Sequence, residues 1–101
     1  MGDQRSAIGN SHKLAAIEIE QGDLAAAEAT LEACRPTAEQ FRDRRRLGEL
    51  HLLTAQLAEQ RGDAPAARAA LEQAVDLFER LGMRGDLAEA QAALAKLAQD
   101  A

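Results

Sequence analysis

Tryptophan and tyrosine are absent from this 101-residue chain, which holds two phenylalanines, one cysteine and two prolines. Each shortage closes a route. A lone Cys34 can form neither an internal disulfide nor a cysteine-based zinc site. No aromatic is interleaved with basic residues, so a stacking platform for single-stranded nucleic acid is lacking. β-Branched residues are few, which argues against strands. No apolar run approaches the roughly 20 residues needed to span a bilayer, and no signal-peptide pattern opens the sequence. No membrane partner is expected, and the setting by default is soluble and cytoplasmic. Basic charge is the scarcer sign: 12 Lys and Arg face 17 Asp and Glu, for a formal net charge of −5. Nucleic-acid surfaces are basic, so direct nucleic-acid binding is not expected.

What the chain does have is alanine. Of its residues 47% are hydrophobic, and 24 residues are alanine. The larger apolar side chains are 14 Leu, 3 Ile, 1 Val, 2 Phe and 2 Met. Burying one of these gains roughly 1.5–3 kcal/mol, so the core is thin for the length. Alanine compensates as the best helix former and lets helices approach closely. The composition favours slim, tightly packed helices.

The organising feature is a repeat. Gln21-Gly22-Asp23-Leu24-Ala25-Ala26-Ala27 returns 40 residues later as Arg61-Gly62-Asp63-Ala64-Pro65-Ala66-Ala67. Ala15, Ala55 and Ala95 fall in the same register, as do Ile17, Leu57 and Leu97. Leu31 pairs with Leu71, and Leu47 with Leu87. A fixed period in this range marks stacked helical units, so the fold class is all-α and residues 1–101 form one domain. Five helices are expected. The first runs from about Ser6 to Gln21 with Ala7, Leu14 and Ile17 inward. The second starts near Leu24, with Leu24, Ala27, Leu31 and Cys34 in a stripe. Pro36 should kink it, with the helix resuming at Thr37, where Thr37 and Gln40 form a capping-box pattern. Arg42–Arg46 reads as a connection. The third helix spans about Leu47 to Arg61, with Leu47, Leu50, Thr54, Leu57 and Ala58 inward. The fourth carries Ala64, Ala67, Leu71, Ala74, Val75, Phe78 and Leu81 and ends at Gly82. The fifth is capped by Asp86 and buries Leu87, Ala90, Leu94, Leu97 and Ala98.

These residues resemble the tetratricopeptide repeats. In that family a turn glycine is followed by a small residue five positions on, a large apolar residue four further, and an alanine three after that. Gly62, Ala67, Leu71 and Ala74 fit, as do Gly22, Ala27 and Leu31, with Cys34 in the last position. The resemblance covers nearly the whole chain. The family's first aromatic is replaced by Ser11, His51 and Gln91, its second by Glu18, Ala58 and Ala98, and the period is 40 rather than about 34. This longer, alanine-rich form is similar to repeats of large bacterial regulators, such as ATPase-linked and LuxR-type transcription factors. The first residues align with an inter-repeat connection, which suggests a chain cut from, or shortened relative to, a longer array. The resemblance implies antiparallel hairpins stacked as a short right-handed superhelix, two repeats plus a terminal helix.

The resemblance also implies a function: a scaffold that binds a peptide or partner protein in a concave groove lined by the first helices. Carried over position by position, the groove takes His12, Ala16 and Ile19 from the first repeat, with Gly9. It takes Glu49, Leu52 and Gln56 from the second, with Glu59, and Lys96 from the fifth helix, beside Glu89, Ala92 and Gln99. Family members that grip a C-terminal carboxylate use Lys and Asn where His12, Ala16, Leu52 and Gln56 stand, and acids flank the groove. A basic or apolar peptide fits better than an acidic one. The Arg42–Arg46 run is best read as a solvated connection that places cations at a helix C-terminus. His12 and His51 lack metal-ligand spacing, Cys34 replaces a small apolar residue, and no nucleophile has a positioned base. No metal, cofactor or enzymatic activity is expected. Open repeat ends give a second functional expectation, a homodimer assembled through them.

Overall fold

A computed structural model describes residues 13–100, and 87% helicity with no strand among the described residues makes the chain all-α. The described part of α1 covers 13–20, and α2 runs Leu24–Gln40. Then come α3 (Arg44–Gln60), α4 (Ala64–Leu81) and α5 (Arg84–Asp100). The expected start of the first helix at Ser6 lies outside the described residues.

The four turns are built alike at 20-residue spacing. Gly22, Arg42, Gly62 and Gly82 all take the left-handed conformation, at φ 80°, 52°, 76° and 70°. At each, the following N–H donates to a carbonyl five residues back: Asp23 to Glu18, Asp43 to Ala38, Asp63 to Ala58 and Met83 to Phe78, at 2.9–3.0 Å. This reach closes the end of one helix. The next helix starts at once. Asp43 accepts from the Arg46 N–H and Asp63 from the Ala66 N–H, both at 3.2 Å.

This half-period corrects the sequence reading in two places. Arg42–Arg46 is not a connection: Arg42 occupies the turn, Asp43 caps, and Arg44–Arg46 are the first turn of α3. The cations therefore sit at a helix N-terminus, where the dipole disfavours them. Glu49 offsets this through Arg46 at 2.8 Å and Arg45 at 3.6 Å. The fifth helix starts at Arg84, so Asp86 lies within its first turn rather than capping it. Helix α2 resumes past Pro36 as expected and runs to Gln40, which places Thr37 in its interior rather than at a cap.

α3 packs on both α2 and α4, and α4 on α5. One core cluster joins Ala15 and Ile19 of α1 to Ala27, Leu31, Cys34 and Ala38 of α2 and Leu50, Leu53 and Leu57 of α3. A second centres on Ala55, Ala70 and Leu71, against Ala93, Leu94 and Leu97 of α5. A third joins Ala74, Phe78 and Ala90. Leu52 packs against the latter two. The expected stripes of α2 and α4 are largely those seen, though Ala64 and Leu81 are exposed. In α5, Ala90 is buried, Leu87, Leu94 and Leu97 are half-buried, and Ala98 is exposed. The α1 stripe is turned: Ala15 and Ile19 face inward, while Leu14 and Ile17 are each 49% exposed. The small Ala15 lets α2 approach while Ile19 fills the core beside it, and Leu14 and Ile17 are left on the outer side.

One close approach sets the α3–α4 spacing. A Cβ at Gly48 would lie 2.6 Å from Phe78 Cε1 and 2.9 Å from Cζ. Only a hydrogen fits there.

Candidate interaction surface

The first helices α1, α3 and α5 are neighbours. Ala15, Ala16 and Ile19 of α1 share a core cluster with residues of α3, and Gln60 Nε2 of α3 donates to the Ile19 carbonyl at 3.0 Å. Leu52 of α3 and Ala93, Leu94 and Leu97 of α5 pack against the same Ala55–Ala70–Leu71 cluster, and Glu59 of α3 lines one depression with Lys96 and Leu97 of α5. Glu49, Leu52 and Gln56 are spaced at i, i+3 and i+7, which aligns them along one face of α3.

The expected groove residues separate into distinct environments. His12 and Gly9 lie outside the described residues. Ile19 is 3% exposed and belongs to the core, so the folded chain does not offer it to a partner. Ala16 is half-buried against the same cluster. Leu52 is half-buried and holds two clusters together, which gives it a packing role as well as an outer edge. Glu49 is half-buried within its arginine pairs. Gln56 and Lys96 are exposed. Lys96 flanks a depression of about 280 Å³ that it shares with Glu59, Gly62, Ala64 and Leu97. The face is thus a row of half-buried small and apolar groups edged by Glu49, Gln56, Glu59 and Lys96.

The opposite side of α3 carries a larger concavity that sequence reasoning missed. Between α2 and α4 lies a cleft of about 950 Å³ with Leu47, His51 and Thr54 as its floor. Arg35 and Glu39 stand on the α2 wall, and Glu72, Gln73 and Asp76 on the α4 wall. His51 is therefore not at the edge of the first-helix face. Its pKa is lowered from 6.5, first by burial and second by the Arg35 guanidinium, while Glu39 pulls the other way. The imidazole is neutral at pH 7. The only sequence signal for this cleft was Ala66, Ala69 and Ala70 on one side of α4, where methyl groups leave room.

Among the described residues, no group of three or more His, Cys, Asp or Glu is placed to hold a metal ion. No helix among them is long and apolar enough to cross a membrane. Cys34 is buried in the first cluster.

Uniform turns, packing between helices close in sequence and an alanine-rich core define a helical-hairpin repeat protein. The tetratricopeptide repeat model matches residues 6–80, about three quarters of the chain. The chain belongs to the tetratricopeptide repeat family, whose repeats are non-catalytic and generally mediate protein–protein interaction. No curated protein and no solved structure matches the chain as a whole or in part.

Proposed function

We propose that this chain is a non-enzymatic protein-interaction scaffold, a segment of or descendant from a larger regulatory protein, that holds a partner polypeptide across α1, α3 and α5. The observation that carries this is the outer face of α3, where half-buried Leu52 lies one turn from exposed Gln56, together with the depression that Glu59 of α3 shares with exposed Lys96 of α5. Acidic Glu49 and Glu59 favour a basic or apolar segment. Leu52→Glu is a poor test, because Leu52 also packs against the cores around Leu71 and Phe78. Gln56 is exposed and serves better. A photo-crosslinking amino acid at Gln56 should yield a discrete heavier adduct in cells, and the same group at exposed Arg68 should not. Equal adducts at both positions, or none at Gln56, would remove the proposal.

A second reading is self-assembly through the α1 end. Ile17 is 49% exposed, whereas Leu57, its equivalent one repeat later, is 5% exposed beside α2. Stacking by a second copy would cover it. An adduct of twice the chain mass, matched by a dimer in light scattering, would favour this reading over a separate partner.

A further inference from the structure

The cleft between α2 and α4 has its own chemistry, independent of the first-helix face. It continues into a smaller depression of about 310 Å³, with Arg35, Thr54 and Ala66 lining both. Together they form a trough along α2 from Glu28 to Glu39, a span of about 16 Å at 1.5 Å per helical residue. Three turns of another helix would match it. Its floor is open because α4 presents Ala66, Ala69 and Ala70 instead of bulky side chains.

The rim is strongly one-signed. Glu28, Glu32, Glu39, Asp63, Glu72 and Asp76 line it, against Arg35 and Arg61. Some of these acids are already engaged. Glu28 pairs with Arg61 at 2.9 Å, Asp76 with Arg80 at 3.3 Å, and Asp63 accepts the Ala66 N–H. Glu32, Glu39 and Glu72 are exposed and form no ion pair with a described residue. The one titratable group on the floor, His51, is neutral at pH 7, so it leaves the negative sign in place.

We propose that this trough is a second docking surface, which takes an amphipathic helix with apolar residues toward Leu47 and Ala70 and lysines or arginines toward Glu32, Glu39 and Glu72. Charge complementarity selects the occupant. An acidic helix would face three uncompensated carboxylates, and a purely apolar one would leave them unmatched. Protonation of His51 would put a cation under the occupant, between Arg35 and Glu39 of α2 and Glu72 and Asp76 of α4. Binding should then weaken as the pH falls.

The test is fluorescence anisotropy with a labelled 18-residue helical peptide, leucines on one face and lysines on the other, and with its glutamate counterpart. The lysine peptide should bind the whole chain and the glutamate peptide should not. The double variant E39K/E72K should weaken binding tenfold or more. The double variant E20K/E79K, with the same charge change on exposed positions that line neither the trough nor the first-helix face, should stay within about twofold of the parent. Between pH 7 and 5.5 the parent should lose affinity more steeply than His51→Gln. Circular dichroism checks that both double variants keep their helicity. Equal loss in the two double variants would mean a diffuse charge effect and would overturn the proposal. So would an unbound lysine peptide, or concentration-dependent self-association that E39K/E72K abolishes. Gln56 plays no part in this test, so the first-helix proposal stands or falls separately.

Discussion

Gly48→Ala offers a sharp trial of the packing, because local propensity and tertiary contact point in opposite directions. In a helix interior, alanine is favoured over glycine by about 1 kcal/mol. Position 48 lies inside α3, so propensity alone says the substitution stabilises. The new Cβ, however, would meet the Phe78 ring at 2.6, 2.9 and 3.3 Å. The ring cannot swing aside into solvent: Phe78 is 0% exposed, and Leu52, Val75, Met83 and Leu87 pack around its cluster. Overpacking of this kind costs about 1–3 kcal/mol, and three short contacts with a confined ring argue for the upper end. The expected net loss is about 1–2 kcal/mol, or roughly 5–10 °C in Tm for a chain of this size. Thermal unfolding followed by circular dichroism reads it directly. The pair then supplies its own control. Phe78→Leu removes the offending ring carbons at a cost of order 1 kcal/mol. In that background Gly48→Ala should turn stabilising, so the double-mutant cycle should show a coupling of at least about 1 kcal/mol. A higher Tm for Gly48→Ala in the parent would refute the account of how α3 and α4 meet.

Three further outcomes follow from particular residues. Arg42 holds φ 52°, where a side chain costs about 1–2 kcal/mol that glycine avoids. Part of that returns as unfolded-state entropy, so Arg42→Gly should stabilise by about 0.5–1 kcal/mol in urea unfolding, and a loss would contradict the turn assignment. Leu94→Glu places a carboxylate against Ala55, Ala70 and Leu71 and should destabilise the chain by about 2 kcal/mol, whereas unchanged unfolding would show α5 undocked. His51 has a folded pKa below its unfolded value of 6.5, so the unfolded state takes up the proton more readily. Its stabilising contribution is therefore complete above pH 6.5 and fades as the pH falls below that. The Tm of the parent should drop faster than that of His51→Gln between pH 7 and 5; parallel profiles would remove the effect.

The all-α repeat fold was legible because it rests on positions that only a few residue types satisfy. Gly22 and Gly62 marked the left-handed turns, and the Ala67–Leu71–Ala74–Phe78 stripe marked the inner face of α4. The 20-residue half-period was hidden because Arg42 occupies a conformation in which glycine was sought, and a run of arginines then resembled a connection. The α1 face was misread for a related reason. Leu14 and Ile17 were assumed to point inward because they are large, yet Ala15 and Ile19 take that side and the other two are left outside. Of the expected interaction residues, Gln56 and Lys96 were placed on the surface by pattern alone. Ile19 was not, because its burial depends on α2 and α3 together. The α2–α4 cleft left almost no trace in the sequence, since its walls belong to helices that are not consecutive.

Packing between sequence neighbours has a mechanical consequence. α2 leans on α3, α3 on α4, and α4 on α5, and among the described residues no core cluster joins α1 to α5. Pulled by its termini, such a chain has no single clasp whose rupture releases everything. It should peel from the outside inward in small steps, leaving the α3–α4 hairpin until last. The same openness means that another 40-residue hairpin added at an end of the stack would lengthen it without asking any existing helix to move.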